Sequence, residues 1–327
     1  MDVKSIISQL KKDYKSISKA SDIEDPSEFV SLGNLAFDLI SDGGVPFGYV
    51  VEFVGLSQSG KSTCAYNIIA NAQKEYDAIG VLIDRENAYT NRRGEQIGID
   101  TDRLILVKPQ DVPTVTDCFQ FILDVIEKVR KESDDTYLVI AIDSISSFGK
   151  DVDLSKSDSG RKAKATHEGL REVLEVIDKR MMLLVLNQVL YKVGVTFGDP
   201  RTTSSGESLK YYSQVRFALE DVKKIKNEHG DVIGNWIGVE VIKTRLGPCY
   251  RTCYIPHYYD TGFDYYGGYA RLLADRGYLI PKNKNKFSKF ETKTLLYGDE
   301  QVREDEMEKF LEKHPELRFD TYPPYKE

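Results

Sequence analysis

The sequence predicts an α/β fold: a twisted, mostly parallel sheet covered by helices on both faces, with a small helical arm before it and a small α/β appendage after it. Three observations carry that prediction. Short apolar runs alternate with amphipathic stretches from Tyr49 to Gln188, a glycine loop joins the first run to the first helix, and the runs are apolar almost throughout, as strands buried on both faces must be.

The elements follow in order. Ile6, Ile7, Leu10 and Tyr14 keep helical spacing among lysines, and the polar stretch KASDIEDPSE then reads as a linker, so residues 1–34 form an arm. From Tyr49 the pattern runs YVVEFV, a helix through TCAYNIIANAQKEY, the strands GVLID and RLILV, a helix over Thr116–Lys131, the strand YLVIAID, a helix through EGLREVLEVIDKR, and the strand MLLVLNQ. RFALEDVKKIK and NWIGVEVIKTR flank Glu228, His229, Gly230 and Asp231, a turn signal, and are expected to extend the sheet as antiparallel strands. The core spans 35–272. An appendage over 273–327 carries a lysine run from Lys282 to Lys293 and an acidic helix around DEMEKFLEKH.

Composition narrows the class. A chain of 327 residues, 41% of them hydrophobic, buries one large core with small additions. Its formal net charge of -7 excludes holding nucleic acid by bulk charge, so such contacts must come from locally basic loops. Cys64, Cys118, Cys249 and Cys253 are too scattered for a disulfide framework and lack the second pair that would close a zinc site. The N-terminal segment MDVKSIISQLKKDYKS has no long apolar stretch, so a cytoplasmic protein away from membranes is expected.

GLSQSGKS, Gly55 to Ser62, fits the phosphate-loop pattern and lies between a strand and an amphipathic helix, where its mechanism requires it. A chance match somewhere in a chain of this length has a probability of about one in a hundred. Backbone N–H groups along Gly55, Gln58, Ser59 and Gly60 wrap a phosphate, Lys61 reaches the β and γ oxygens, Ser62 ligates Mg²⁺ and Thr63 supports the α-phosphate. Asp143 ends a buried strand, the place for an acid that holds magnesium-bound water. ATP and Mg²⁺ are the cofactors expected.

At VLIDRENAYT, which places Glu86 just past a strand, the chain resembles the bacterial RecA recombinase family, and LLVLNQVLYKVGVTFGDPRTTSSGESLKYYSQVRF makes the resemblance specific. It covers about Phe37 to Ile280 with the motifs in the family's order. It implies a RecA-type P-loop NTPase core, an ATPase that polymerises as a filament on single-stranded DNA and pairs it with homologous duplex. Glu86 would activate the attacking water, Gln188 would sense the γ-phosphate, and Lys243 and Arg245 would reach the ATP of a neighbouring subunit. Tyr259 would lie near the adenine, and Arg93 stands where the family usually has an adenine-stacking Tyr. Two loops would meet DNA. The first, about 150–166, carries Arg161, Lys162 and Lys164; the second, about 189–208, carries Lys192, Val193, Ser204, Ser205 and Gly206, with Lys210 just beyond. Leu190 replaces an arginine, Glu207 replaces a neutral amide, and the first loop is shorter than in the family. An accessory ATPase of the same fold, a DNA-coating filament without turnover and a small-molecule P-loop kinase remain alternatives.

Overall fold

A computed structural model describes residues 3–14, 17–23, 25–148, 158–191, 201–203, 207–281 and 295–326. The chain opens with α1 (Val3–Leu10), then β1 (Phe29–Val30), α2 (Leu35–Ile40) and β2 (Val45–Pro46), which pairs antiparallel with β1. The core follows as β3 (Val50–Gly55), α3 (Lys61–Tyr76), β4 (Ile79–Asp84), α4 (Asn91–Ile97), β5 (Leu104–Val107), α5 (Val115–Glu132), β6 (Leu138–Asp143), α6 (Asp158–Val176) and β7 (Met181–Tyr191). Next come β8 (Arg201–Thr203), α7 (Ser208–Tyr212), β9 (Val215–Lys226), β10 (Val232–Lys243), β11 (Thr252–Tyr258) and β12 (Gly262–Phe263). The chain closes with α8 (Tyr269–Asp275), β13 (Ile280–Pro281), β14 (Leu295–Tyr297), β15 (Glu300–Val302) and α9 (Met307–Lys313).

One sheet organises the molecule, in the order β12-β11-β10-β9-β3-β7-β6-β4-β5. From β9 to β5 every neighbouring pair is parallel, and β10, β11 and β12 continue the sheet antiparallel. The α/β architecture expected from the sequence is therefore the one observed. β3, β4, β6 and β7 all end at the same edge, so whatever follows each of them shares one crevice, where open α/β sheets bind ligands.

Apolar clusters cover the sheet on both faces. On one face α2, α3 and α8 pack Phe37, Ile68, Ile69 and Tyr269 against Phe53, Leu82, Leu184 and Phe217. On the other α5 and α6 pack Phe119, Ile122, Leu170 and Val173 against Ile83, Ile140 and Val185. Phe53 and Phe217 are register partners on adjacent strands with ring centroids 5.1 Å apart, and Phe37 closes the trio at 4.9 Å from Phe217. A Thr114–Asp117 capping box satisfies the first amides of α5 and sets where that helix starts. The small sheet β13-β14-β15 and α9 belong to the first cluster through Leu295, Val302, Met307 and Phe310. Among the described residues no helix is long and apolar enough to cross a membrane.

Two expectations about the loops need correction. The helix expected from Glu168 begins at Asp158, because Lys162, Ala163 and Ala165 are good helix formers and Thr166, Leu170 and Val173 continue one buried stripe. Arg161, Lys162 and Lys164 are thus helical. β7 likewise runs past Gln188 to Tyr191 and pairs antiparallel with β8, so the first residues of the expected second loop are strand. Residues 149–157, 192–200, 204–206 and the lysine run 282–294 lie outside the described residues.

Two predictions follow from the packing. Phe217→Ala removes one ring of a fully buried trio and is expected to cost about 3–5 kcal/mol in urea unfolding. Asp38 accepts hydrogen bonds from the Leu32 amide and the Ser31 hydroxyl, yet burial, opposed by those bonds and aided by Glu75, pushes its carboxyl up to about 7. A raised folded-state pKa gives stability that is complete below the ordinary carboxyl range and lost as pH rises through 7. Wild type should therefore lose roughly 2–4 kcal/mol between pH 4 and 7.5 relative to Asp38→Asn, measured as the difference in their urea midpoints.

Candidate nucleotide site

The site begins with a buried charge. β3 is buried along its whole length and ends at Gly55, whose missing Cβ leaves room for the Leu219 carbonyl. Gly60 adopts φ +85 at the start of α3 with the Ile237 side chain against it, so a glycine is required there on two counts. Lys61 is the first residue of α3 and only 7% exposed. Its ammonium donates to the carbonyls of Gly55 at 3.1 Å and Leu56 at 2.7 Å. Burial pushes its pKa below the usual lysine range, against the pull of the Asp143 and Glu86 carboxylates.

Asp143 closes β6 beside it. Burial raises this carboxyl to about 6, opposed by a hydrogen bond from Ser62 and by Lys61, while Glu86 and Asp84 add to the rise. A buried carboxylate with a raised pKa, next to a hydroxyl and a lysine, is short of counter-charge, which fits a Mg²⁺ held by Ser62 and Asp143. The cavity above measures about 410 Å³ and is lined by Gln58, Ser59, Gly60, Lys61, Ser62, Thr63, Glu86, Asp143, Gln188 and Tyr259. Ser57 and His257 complete the wall.

Glu86 is gripped by three donors. Its Oε1 accepts from Ser144 Oγ at 3.0 Å, Ser147 Oγ at 2.7 Å and Gln188 Nε2 at 3.0 Å. These donors come from the turn after β6 and from within β7, so Glu86, just past β4, joins three strands at the crevice. Ser146 extends the connection, donating to Asn187 Oδ1 at 3.1 Å and accepting from the Gln188 amide at 2.8 Å. Asn187 in turn donates to Glu52 Oε1 at 2.7 Å, and Glu52 pairs with Arg216.

Sequence reasoning missed Ser144, Ser147 and His257. The serines stand in a run, DSISS, directly after the Asp143 strand, and that placement was the available signal. His257 is buried on β11, its Nε2 3.0 Å from Thr63 Oγ1 and its Nδ1 2.9 Å from Asn235 Oδ1. An inward-facing histidine on a short apolar strand offered little to read. Burial holds its pKa down at about 4, with Arg93 and Lys224 opposing protonation and Asp221 favouring it.

Other expected residues sit away from the cavity wall. Arg93 lies beside Tyr66 and Asp260, next to the hairpin that carries Tyr259, and its buried Nη1 has no hydrogen-bond partner. Lys243 donates to the carbonyls of Lys210 at 2.6 Å and Tyr211 at 3.0 Å, capping α7, and Arg245 is exposed nearby. Lys210 pairs with Glu207 at 2.7 Å. On α6, Lys162 donates to the carbonyls of Ser146 at 3.0 Å and Phe148 at 3.3 Å, and Lys164 pairs with Glu168 at 3.7 Å. Arg161 is half-buried on the same helix. Lys192, Val193, Ser204, Ser205 and Gly206 lie outside the described residues.

A glycine loop closing a buried strand, a buried lysine opening the next helix and two acids across the crevice define an α/β protein with a P-loop site. Comparison with known proteins narrows that class. The model of the RecA N-terminal domain matches residues 2–264. The chain is 32% identical to Protein RecA of Heliobacterium modesticaldum over 297 residues, 89% of this chain and 80% of that protein. It is 30% identical to Protein RecA of Lactobacillus acidophilus, covering 88% of this chain and 76% of the other, and 30% identical to that of Geobacter sulfurreducens, covering 88% and 82%. The chain belongs to the RecA family, whose members bind ATP and act on DNA.

Lys61→Ala removes the one ammonium buried under the loop, so nucleotide affinity measured by calorimetry is expected to fall at least a hundredfold while the far-ultraviolet spectrum stays unchanged. Undiminished affinity would disprove the assignment of the loop.

Proposed function

We propose that this chain is a DNA-dependent ATPase that assembles as a helical filament on single-stranded DNA in the cytoplasm and pairs it with homologous duplex. The observation that carries this reading is the position of Gln188. It donates to Glu86 within the crevice, and it stands on the strand that continues into the second expected DNA loop. A group that contacts Glu86 and would also meet a γ-phosphate in the crevice would link nucleotide state to whatever that segment holds.

Under this reading Glu86 orients the attacking water as general base, and Ser144, Ser147 and Gln188 set its direction. Lys61 and the loop amides stabilise charge on the β and γ oxygens. Ser62 and Asp143 would hold Mg²⁺, which supplies further neutralisation of the polyphosphate. Lys243 and Arg245 do not line the cavity of their own chain, which favours service to a neighbour's nucleotide. Turnover would then require assembly. Arg161 and Lys164 on α6, Lys192, Val193, Ser204, Ser205 and Gly206 in the second loop, and Lys210 on α7 would meet DNA, with Lys162 holding the 146–148 turn in place behind them. Arg93 and Tyr259 would flank the base. Residues 1–34 would serve as an arm between protomers, ahead of the 35–272 core, and 273–327 as a small C-terminal appendage whose described part packs on that core.

The test is ATP hydrolysis with and without single-stranded DNA, with strand exchange assayed in parallel. Stimulation by DNA together with exchange supports the reading; hydrolysis indifferent to DNA, with no exchange, rejects it. Glu86→Gln should keep ATP and DNA bound while turnover drops roughly 10²–10⁴-fold, and unchanged turnover would mean that another group handles the water.

A further inference from the structure

The nucleotide crevice contains a buried polar chain that the proposed hydrolysis does not use. Thr63 Oγ1 lies 3.0 Å from His257 Nε2, and His257 Nδ1 lies 2.9 Å from Asn235 Oδ1. Asn235 Nδ2 is 3.1 Å from Asp221 Oδ1 and approaches the Gln58 carbonyl at 3.5 Å. Thr63, His257 and Asn235 are all buried, so water competes little for these bonds.

The chain has only one consistent direction. A carboxylate and a carbonyl only accept, so the Asn235 amide must turn its NH₂ toward Asp221 and Gln58 and its oxygen toward the imidazole. That oxygen accepts from Nδ1, which therefore carries the ring's hydrogen. Nε2 of the neutral ring is then bare, and it takes the single hydrogen of the Thr63 hydroxyl. In this state Thr63 turns only lone pairs to the cavity. A phosphate at that wall would meet oxygen lone pairs rather than a donor.

We propose that nucleotide binding at this site is coupled to uptake of one proton by His257, which frees the Thr63 hydroxyl to donate to the bound phosphate. The inference rests on the reading of the crevice as a nucleotide site. The proton comes from solvent and goes to Nε2. Nε2–H then donates to Thr63 Oγ1, and the hydroxyl hydrogen turns to a phosphate oxygen; no covalent bond other than N–H forms and none but the donor acid's breaks. The groups facing the ring set the balance. Thr63 comes from α3, Asn235 from β10, Tyr259 and Phe263 from the following hairpin, Arg93 from α4, and Asp221 and Lys224 from β9. The two cations and burial keep the ring neutral before binding, and a polyphosphate brings the opposing negative charge.

The sign follows. Binding raises the His257 pKa from about 4, so affinity climbs as pH falls below the pKa of the bound form and is flat above it. His257→Asn keeps an acceptor for Thr63 and a donor for Asn235 but does not titrate. ADP and ATP, with Mg²⁺, are titrated into the full chain by calorimetry at pH 5.5–8 in buffers of unlike ionisation enthalpy. Wild type is expected to take up as much as one proton per nucleotide more than His257→Asn at the acid end, and to gain up to about tenfold in affinity per pH unit relative to it. Nucleotide phosphates titrate equally in both proteins and cancel in that difference. Equal proton uptake and parallel pH profiles would overturn the inference. Should the variant fail to fold, ¹⁵N chemical shifts of the wild-type ring at pH 6 decide: conversion to imidazolium on adding ADP supports the coupling, and a ring that stays neutral overturns it. Wild type that binds neither nucleotide at any pH would instead remove the nucleotide-site reading beneath it.

Discussion

An ammonium enclosed at the end of β3 is the constraint on which the rest of this structure depends. Lys61 is enclosed where its charge is poorly hydrated, and it is balanced by the Gly55 and Leu56 carbonyls, the Ser59 hydroxyl and two nearby acids. Such a group is tolerable only in a site built for an anion. The parallel sheet supplies that site, because strands that run the same way deliver their ends to one edge. Asp143, the Glu86 clasp and Gln188 reach the crevice for that reason alone, although they stand far apart in the sequence.

Much of this was legible beforehand. Continuous apolar runs separated by amphipathic stretches can be satisfied only by a sheet covered on two faces, and the glycine loop marked its ligand-binding edge. Lys61, Ser62, Glu86, Asp143, Gln188 and Tyr259 meet around one cavity; the loop residues and Asp143 were readable from their position at strand ends, and Glu86, Gln188 and Tyr259 from the resemblance to the RecA family. Position along a strand is local information. The start of α6 was not legible in the same way, since a cluster of Arg and Lys looks alike in a solvated loop and on the outer face of a helix. His257 was hidden for a different reason: its importance lies in Thr63, Asn235 and Asp221, residues 194, 22 and 36 positions away that only the fold brings together.

The cations show how far composition can mislead. Lys162, expected to meet DNA, and Lys243, expected to reach a neighbour's ATP, are both turned onto backbone carbonyls of their own chain, and Arg216 is turned onto Glu52. Lost pairing, rather than lost attraction for a ligand, is the first consequence of replacing any of them. The buried Glu52–Arg216 pair also ties β3 to β9 behind the loop, so electrostatics and sheet register support the same geometry.

The pairing of β7 changes abruptly along its length. Up to Gln188 it is flanked by β3, and from Val189 to Tyr191 its pairing is with the short β8. The strand is thus a cantilever, clamped at its root in the middle of a broad sheet and projecting from that clamp at the side chain that touches Glu86. Under the proposed reading, a shift of the Gln188 amide would tilt the three residues beyond it and leave the broad sheet undisturbed.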